Sequence, residues 1–212
     1  MRALAILIII GSGCAYAQEF HLPFAGRWFV MQGGDTLNVN EHMRVPAQWY
    51  GTDFAKVGGP NLRALVKSTG SSVSDFYSWE EPVLSPVDGD VVAVVSDLPD
   101  NELGAKDQSN PAGNHVVIKA AKNRYAYIAH FKRGSITVKP GQHVSSGQLI
   151  GNCGNSGNSD FPHIHMHVQD TPTFNKGTGQ NIEFSRISVE LSGKQFENVA
   201  WPLVRGIFVS NK

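Results

Sequence analysis

Apolar and polar residues alternate most regularly in residues 163–168, which read HIHMHV. Side chains two apart share a face of an extended strand, so this pattern predicts a strand with an all-histidine face. Ile164, Met166 and Val168 would form its apolar back. Imidazole binds zinc and titrates near neutrality, so the histidine face suits metal binding or acid–base work. The alternatives are a surface strand whose histidines share no role and an adventitious metal site.

Shorter apolar runs between turn signals predict further strands. The candidates are residues 27–31, 36–39, 49–54, 82–84, 91–95, 116–119, 125–131, 182–190 and 201–210, and residues 62–67 are a candidate for one or two helical turns. Residues 134–151 alternate apolar segments with closely spaced turns, which is typical of short hairpins. We therefore expect an all-β fold, a twisted antiparallel sheet with short hairpins forming a groove. The long polar stretches 96–113 and 169–180 are expected to border this groove, because loops of that length are usually functional.

The first 17 residues are typical of a secretory signal peptide. Arg2 precedes an apolar run at residues 3–10, and an A-Y-A cleavage signal ends at Ala17. The run is too short to span a bilayer. We expect export to the periplasm or the cell exterior, with residues 18–212 forming one domain. The alternative is a lipoprotein signal with Cys14 modified, although a small residue stands three positions earlier, where an aliphatic one is expected.

The charge balance and the cysteine count restrict the possible binding partners and the possible sources of stability. The chain has 18 Lys and Arg residues against 18 Asp and Glu residues and no basic run, which gives no case for nucleic acid or an anionic membrane. After signal cleavage Cys153 would be the only cysteine, so no internal disulfide is expected. Stability must then come from packing, or partly from a bound metal. The oligomeric state is left open.

A series of motifs follows in order between residues 82 and 168. They are P-V-x-G-x-V at 86–91, G-N-x-V-x-I at 113–118, the segment YIAH at 127–130, the hairpin array at 138–151 and G-x-S-G-x-S-x-x-P-H-x-H at 154–165. This order resembles the M23 family of zinc metallopeptidases, the LytM and lysostaphin type that cuts peptidoglycan cross-bridges. The resemblance implies a lysostaphin-like fold of the barrel-sandwich-hybrid type, one Zn²⁺ per chain and a peptidoglycan peptide as substrate.

The resemblance also implies roles for particular residues. It makes Asp53 and His165 zinc ligands, and it places His130 and His163 beside the metal-bound water and the scissile carbonyl. Zinc with three protein ligands keeps a fourth position for water and lowers the pKa of that water towards neutrality. We expect His163 to be the general base and His130 to lie on the oxyanion side, an order that the sequence leaves open.

The remaining ligand departs from the common family motif. H-x-x-x-D would place a histidine where this chain has Trp49, and indole cannot bind zinc. A branch of the family with an upstream N-x-H and a Q-x-Y-x-x-D-F element resembles residues 40–54. We expect a loop to return His42 to the metal beside Asp53; an ordinary exposed histidine or a degenerate site are the alternatives. The alternative function is a zinc-free M23 scaffold that binds the cell wall or regulates another wall hydrolase.

Four further residues carry expectations of their own. His115 and His143 are expected to be structural, from their strand and turn positions. His167 stands where the family often has glutamate or glutamine, and either contact behind the ligands or plain exposure is open for it. Whether Cys153, which lies close to the proposed site in sequence, is buried or reactive is also open.

Overall fold

The computed structural model describes residues 19–211, so the predicted signal sequence and its cleavage site lie outside the described residues. Within this range there are twelve strands: β1 Arg27–Gln32, β2 Thr52–Lys56, β3 Pro82–Leu84, β4 Gly89–Val95, β5 Asn114–Ala121, β6 Arg124–Phe131, β7 His143–Val144, β8 Leu149–Asn152, β9 Ile164–Gln169, β10 Phe184–Leu191, β11 Lys194–Trp201 and β12 Phe208–Asn211. The same residues include 3-10 turns at Glu41–Arg44, Pro46–Gln48 and Val73–Asp75 but no α-helix, and therefore no helix able to cross a membrane. The all-β prediction is confirmed.

The strand order brings the candidate site residues together. Ten strands form one antiparallel sheet in the order β11-β10-β12-β1-β2-β9-β6-β5-β4-β7, and β3 pairs separately with β8. In this sheet β9 lies between β2 and β6. Asp53 of β2 is directly opposite His165 of β9, and Ala129 of β6 faces the same histidine from the other side. Side chains far apart in sequence thus meet around His165.

The apolar back of β9 lies in the core, as its alternation predicts. Ile164, Met166 and Val168 are each 1% exposed. Burial of one such side chain stabilises the fold by about 1.5–3 kcal/mol. Phe24 stacks on Trp28 with 4.4 Å between ring centroids and continues this core towards β2. The packed face holds β9 in register, and that register fixes which of its residues face the groove.

Local backbone geometry overturns two of the predicted elements. Residues 36–39, predicted as a strand, form a turn in which the backbone N–H of Asn40 donates to the backbone carbonyl of Thr36 at 3.0 Å. Residues 62–67 form no helical turn, because Leu62 has a φ of 49° and Ala64 and Val66 make isolated bridges to other segments.

Two strand boundaries also differ from the sequence prediction. The strand predicted at residues 49–54 begins only at Thr52, since Tyr50 has a φ of 63°. Of residues 201–210, predicted as one strand, only Trp201 at the end of β11 and residues 208–210 of β12 are in strands, because Pro202 and a turn at Gly206, whose φ is 97°, interrupt the range. The division of the chain into a signal and one domain stays a prediction.

Candidate metal centre

Three predicted ligands converge at one end of the β2–β9 pair. Nδ1 of His165 lies 2.8 Å from Oδ1 of Asp53, and Nε2 of His42 lies 3.0 Å from Oδ2 of the same carboxylate. One ligand atom from each of the three residues lies within 4.8 Å of the other two. The structure therefore brings His42, Asp53 and His165 together, although 122 positions separate the first from the last in the sequence.

Asn40 holds the loop that carries His42. Its side chain is 1% exposed, and its amide nitrogen donates to the carbonyls of Gly34 at 2.8 Å and Gly51 at 3.0 Å. Its amide oxygen accepts from the backbone N–H of His42 at 3.2 Å. The loop is thus tied to the segment immediately before β2. The N-x-H pattern contains Asn40, but nothing in the sequence indicates that its side chain ties the loop in this way.

Trp49 stabilises the same loop and contributes no ligand atom. Its indole N–H donates to the carbonyl of Met43 at 3.1 Å. Gly179 packs so closely on the Trp49 backbone that an added Cβ would lie 2.4 Å from the Trp49 carbonyl oxygen. The tryptophan at the position of the usual family histidine therefore acts in packing, and His42 reaches Asp53 from the preceding turn.

The donor set fits a zinc ion. Nε2 of His42 is buried and makes no hydrogen bond of acceptable geometry within residues 19–211, despite its closeness to Asp53. An unsatisfied buried polar atom costs free energy, and a bound cation would satisfy it. Two imidazole nitrogens and one carboxylate oxygen are ligands that zinc takes, and three protein ligands leave a position for water.

The charges of Asp53 and His165 agree with cation binding. Burial works against the charge of Asp53, but the facing His42 and His163 hold the pKa of this carboxyl well below its usual range. Burial, together with repulsion from His42, lowers the pKa of His165 to about 4. At neutral pH Asp53 therefore offers a charged carboxylate and His165 a neutral imidazole, the forms that bind a metal. Burial works against the charge of His42, but the facing Asp53 raises the pKa of this imidazole, so a bound cation would have to displace its proton.

His130 and His163 lie beside these ligands, with 4.7 Å between their ring centroids, and each directs Nδ1 at a backbone carbonyl. Nδ1 of His130 donates to the Ser156 carbonyl at 2.8 Å, and Nδ1 of His163 donates to the Phe161 carbonyl at 2.9 Å. A carbonyl can only accept, so each neutral ring carries its hydrogen on Nδ1 and keeps a lone pair on Nε2. Burial, aided by the neighbouring His163 and His165, holds the pKa of His130 well below its usual range. Both rings line the groove described below.

His130 adopts a strained backbone conformation. Its φ of 66° lies in the left-handed region, which costs a non-glycine residue about 1–2 kcal/mol. Backbone hydrogen bonds hold it there, from its own N–H to Ala112 at 3.3 Å and from the Gly154 N–H to its carbonyl at 2.9 Å. Strain of this kind is common where a side chain must be aimed at a functional site.

Gly113 supports the carbonyl that orients His130, and we expect Gly113→Ala to destabilise the protein. A Cβ there would lie 2.5 Å from the carbonyl carbon and oxygen of Ser156, and the φ of Gly113 is 57°. We expect a loss of about 3 kcal/mol of unfolding free energy, measured by urea denaturation. Gly104→Ala is the matched control, because its φ is 75° but nothing lies within 4 Å of the new Cβ. Equal losses in the two variants would show that backbone strain alone acts and that the contact with Ser156 does not.

A groove of about 480 Å³ opens in front of the ligands and the two histidines. Lys106 and Pro111 of the 96–113 loop and Asn175 of the 169–180 loop line it, which confirms the predicted position of both loops. The rim carries both signs of charge in the pairs Arg44–Glu41 at 2.6 Å and Lys106–Asp160 at 2.8 Å. Such a rim suits a polar, extended ligand such as a peptide better than a polyanion.

The other residues singled out from the sequence lie outside the ligand set. His143 is exposed and pairs with Asp90 at 2.9 Å, and the ring of His115 donates to the Gly113 carbonyl at 2.8 Å. Burial raises the pKa of Cys153 well above its usual range, so this thiol is unreactive at neutral pH. His167 is 2% exposed and contacts His165, which answers the question left open for it.

Comparison with known proteins shows which family the chain resembles. Peptidase family M23 matches residues 69–181, just over half of the chain, a range that includes His130, His163 and His165 but begins after His42 and Asp53. The chain is 44% identical over 57 residues to the peptidoglycan DD-endopeptidase ShyA of Vibrio cholerae, covering 27% of this chain and 13% of that protein. It is 36% identical over 99 residues to endolysin 2638A of Staphylococcus phage 2638A, covering 46% of this chain and 18% of the endolysin.

Among solved structures, the chain is similar to a mutant catalytic domain of the prophage-encoded M23 protein EnpA from Enterococcus faecalis. The TM-score is 0.49 at 22% identity, over 76% of this chain and 94% of that one. The chain spans less than a fifth of the length of the two curated relatives. With the match over residues 69–181, the chain belongs to peptidase family M23.

Proposed function

We propose that this protein is a zinc-dependent endopeptidase that hydrolyses peptide bonds in peptidoglycan after export from the cytoplasm. The observation that carries the proposal is the convergence of His42, Asp53 and His165 beside two imidazoles whose Nδ1 atoms face backbone carbonyls. The names of ShyA and the phage endolysin support peptidoglycan as the substrate. The N-terminal sequence and the location of this substrate support export.

The three ligands would hold the zinc, which when bound supplies Lewis acidity to water and to the scissile carbonyl. His163 is the better placed general base, because its Nε2 lies 3.8 Å from Oδ1 of Asp53 and an adjacent carboxylate stabilises the imidazolium that forms. His163 then returns that proton to the leaving amine. Its Nδ1–H stays on the Phe161 carbonyl, so the ring keeps its orientation in both steps.

We propose that Nε2 of His130 accepts a hydrogen bond and so orients the group that donates it, instead of donating a hydrogen bond to the oxyanion. Its single hydrogen is directed at the Ser156 carbonyl, and its low pKa keeps Nε2 unprotonated at neutral pH. Nε2 can then accept from the attacking water or from a substrate N–H. The oxyanion role expected from the sequence would require a second proton on this ring, which its buried position disfavours.

The proposal is tested by zinc analysis and by digestion of purified peptidoglycan. We expect about one tightly bound zinc per chain and release of soluble peptide fragments from the sacculus. A chelator should abolish this release, and added zinc should restore it. Binding to peptidoglycan without zinc and without fragment release would contradict the proposal and would support the alternative, a non-catalytic wall-binding module.

A further inference from the structure

A row of buried polar side chains runs along β9 behind the ligand cluster. His165, His167 and Gln169 are 4%, 2% and 0% exposed and lie on the same face of the strand. Nε2 of His165 lies 2.8 Å from Nδ1 of His167, and Nε2 of His167 lies 3.1 Å from Oε1 of Gln169. The mechanism proposed above uses only the first residue of this row.

Gln169 determines the direction of the hydrogen bonds. Its amide nitrogen, which carries two hydrogens, lies within hydrogen-bond distance of three backbone carbonyl oxygens, those of Thr171 at 2.8 Å, Thr173 at 2.7 Å and Lys176 at 3.1 Å. Carbonyl oxygens only accept, so the NH₂ group must face them and the amide oxygen must face His167. Nε2 of His167 therefore carries a hydrogen, and in a neutral ring its Nδ1 is an acceptor.

The surroundings of His167 keep its ring neutral. Tyr127 stacks on it with 4.9 Å between centroids and an interplanar angle of 7°, and Phe174 lies 6.4 Å away. Its hydrogen-bond partners among the described residues are His165 and Gln169, and neither is a carboxylate that would pair with a charged ring. The Nδ1 acceptor of His167 must then receive its hydrogen from Nε2 of His165.

This order of hydrogen bonds leaves His165 with a lone pair on Nδ1. That nitrogen lies 2.8 Å from Oδ1 of Asp53, so a lone pair faces a carboxylate oxygen. Two acceptors at this distance repel each other, and a cation between or beside them removes the repulsion. The row thus selects the ring nitrogen that suits metal binding.

We propose that His167 and Gln169 are positioning residues that hold His165 in the Nε2–H tautomer, with the Nδ1 lone pair directed at the metal site. The inference rests on the proposed zinc-dependent function and adds to it the residues that determine the ligand's tautomer. It also accounts for the complete burial of Gln169 in a central strand. Neither residue touches substrate, so both act through His165.

The tautomer can be measured in the wild-type protein without metal. A long-range ¹H–¹⁵N spectrum of histidine-labelled, chelator-treated protein should show both His165 and His167 protonated at Nε2. Protonation of His165 at Nδ1 would overturn the proposal. This measurement needs no variant and is independent of zinc binding, so a wild type that binds no zinc would contradict the proposed function alone.

A matched pair of variants separates positioning from packing. His167→Phe keeps a ring against Tyr127 but removes the acceptor, whereas His167→Gln keeps an acceptor oxygen. We expect zinc affinity, measured by chelator competition, to fall about 10–100-fold in His167→Phe, and His165 to lose its single tautomer. His167→Gln should recover most of that loss. Equal zinc affinities in wild type and His167→Phe, or equal losses in the two variants, would overturn the proposal.

Discussion

Replacing His42 by alanine should lower zinc affinity by at least about 10³-fold, because loss of a direct ligand exceeds the 10–100-fold cost of changing a residue behind one. Asp53 and His165 would remain as the only protein ligands of the proposed set. Peptidoglycan hydrolysis should fall with zinc occupancy. The measurements are chelator competition for affinity and metal analysis of the dialysed protein.

Three further variants serve as controls for this result. His143→Ala makes the same chemical change at an exposed histidine of β7 and should leave zinc affinity unchanged. His165→Ala should lose zinc as His42→Ala does. If zinc were lost in His165→Ala but kept in His42→Ala, His42 would not be a ligand, and the third position would belong to another group. Trp49→Phe should keep the zinc, since its indole serves only the loop through Met43.

The elements that the sequence predicts well are those whose apolar pattern is strong. β9 could be predicted because its strict alternation of apolar and polar residues fits a strand with Ile164, Met166 and Val168 facing the core. β11 was missed because it is an edge strand with mostly exposed side chains, so burial imposes no clear alternation on it. The prediction of a strand at residues 36–39 was wrong, although the segment contains leucine and valine. The side chain of Asn40 donates a hydrogen bond to the Gly34 carbonyl, and this contact holds the segment in a loop.

The family resemblance predicted which residues form the site, but the local residue patterns alone did not predict their contacts. Motif order identified His130, His163 and His165, whereas the pairing of Asp53 with His165 depends on β2 lying next to β9. Strand order of this kind is set by long-range packing, which local patterns do not contain. The roles of Asn40 and Gln169 depend on buried amides that bind backbone carbonyls, and an asparagine or glutamine in a sequence gives no sign of its partners.

His163→Ala is the second variant with a large expected effect. We expect kcat to fall about 10³-fold, within the range that a positioned general base contributes. Zinc affinity should stay close to wild type, because His163 is not among the three convergent ligands and its Nε2 is 3.8 Å from Asp53. Kinetics on a soluble peptidoglycan fragment, with zinc saturating, separate this loss from the loss in His42→Ala.

Exogenous imidazole tests whether the missing ring is a base. Removal of the side chain enlarges a groove that already measures about 480 Å³, so free imidazole can enter. If His163 moves the proton, added imidazole should restore part of kcat in His163→Ala, and the restored rate should rise with the fraction of neutral imidazole as pH increases. It should not restore His130→Ala to the same degree, because the proposed task of His130 is to accept a hydrogen bond while held by the Ser156 carbonyl. If imidazole restored kcat only in His130→Ala, His130 would be the general base and His163 would accept the hydrogen bond. Bound substrate would then have to raise the pKa of His130.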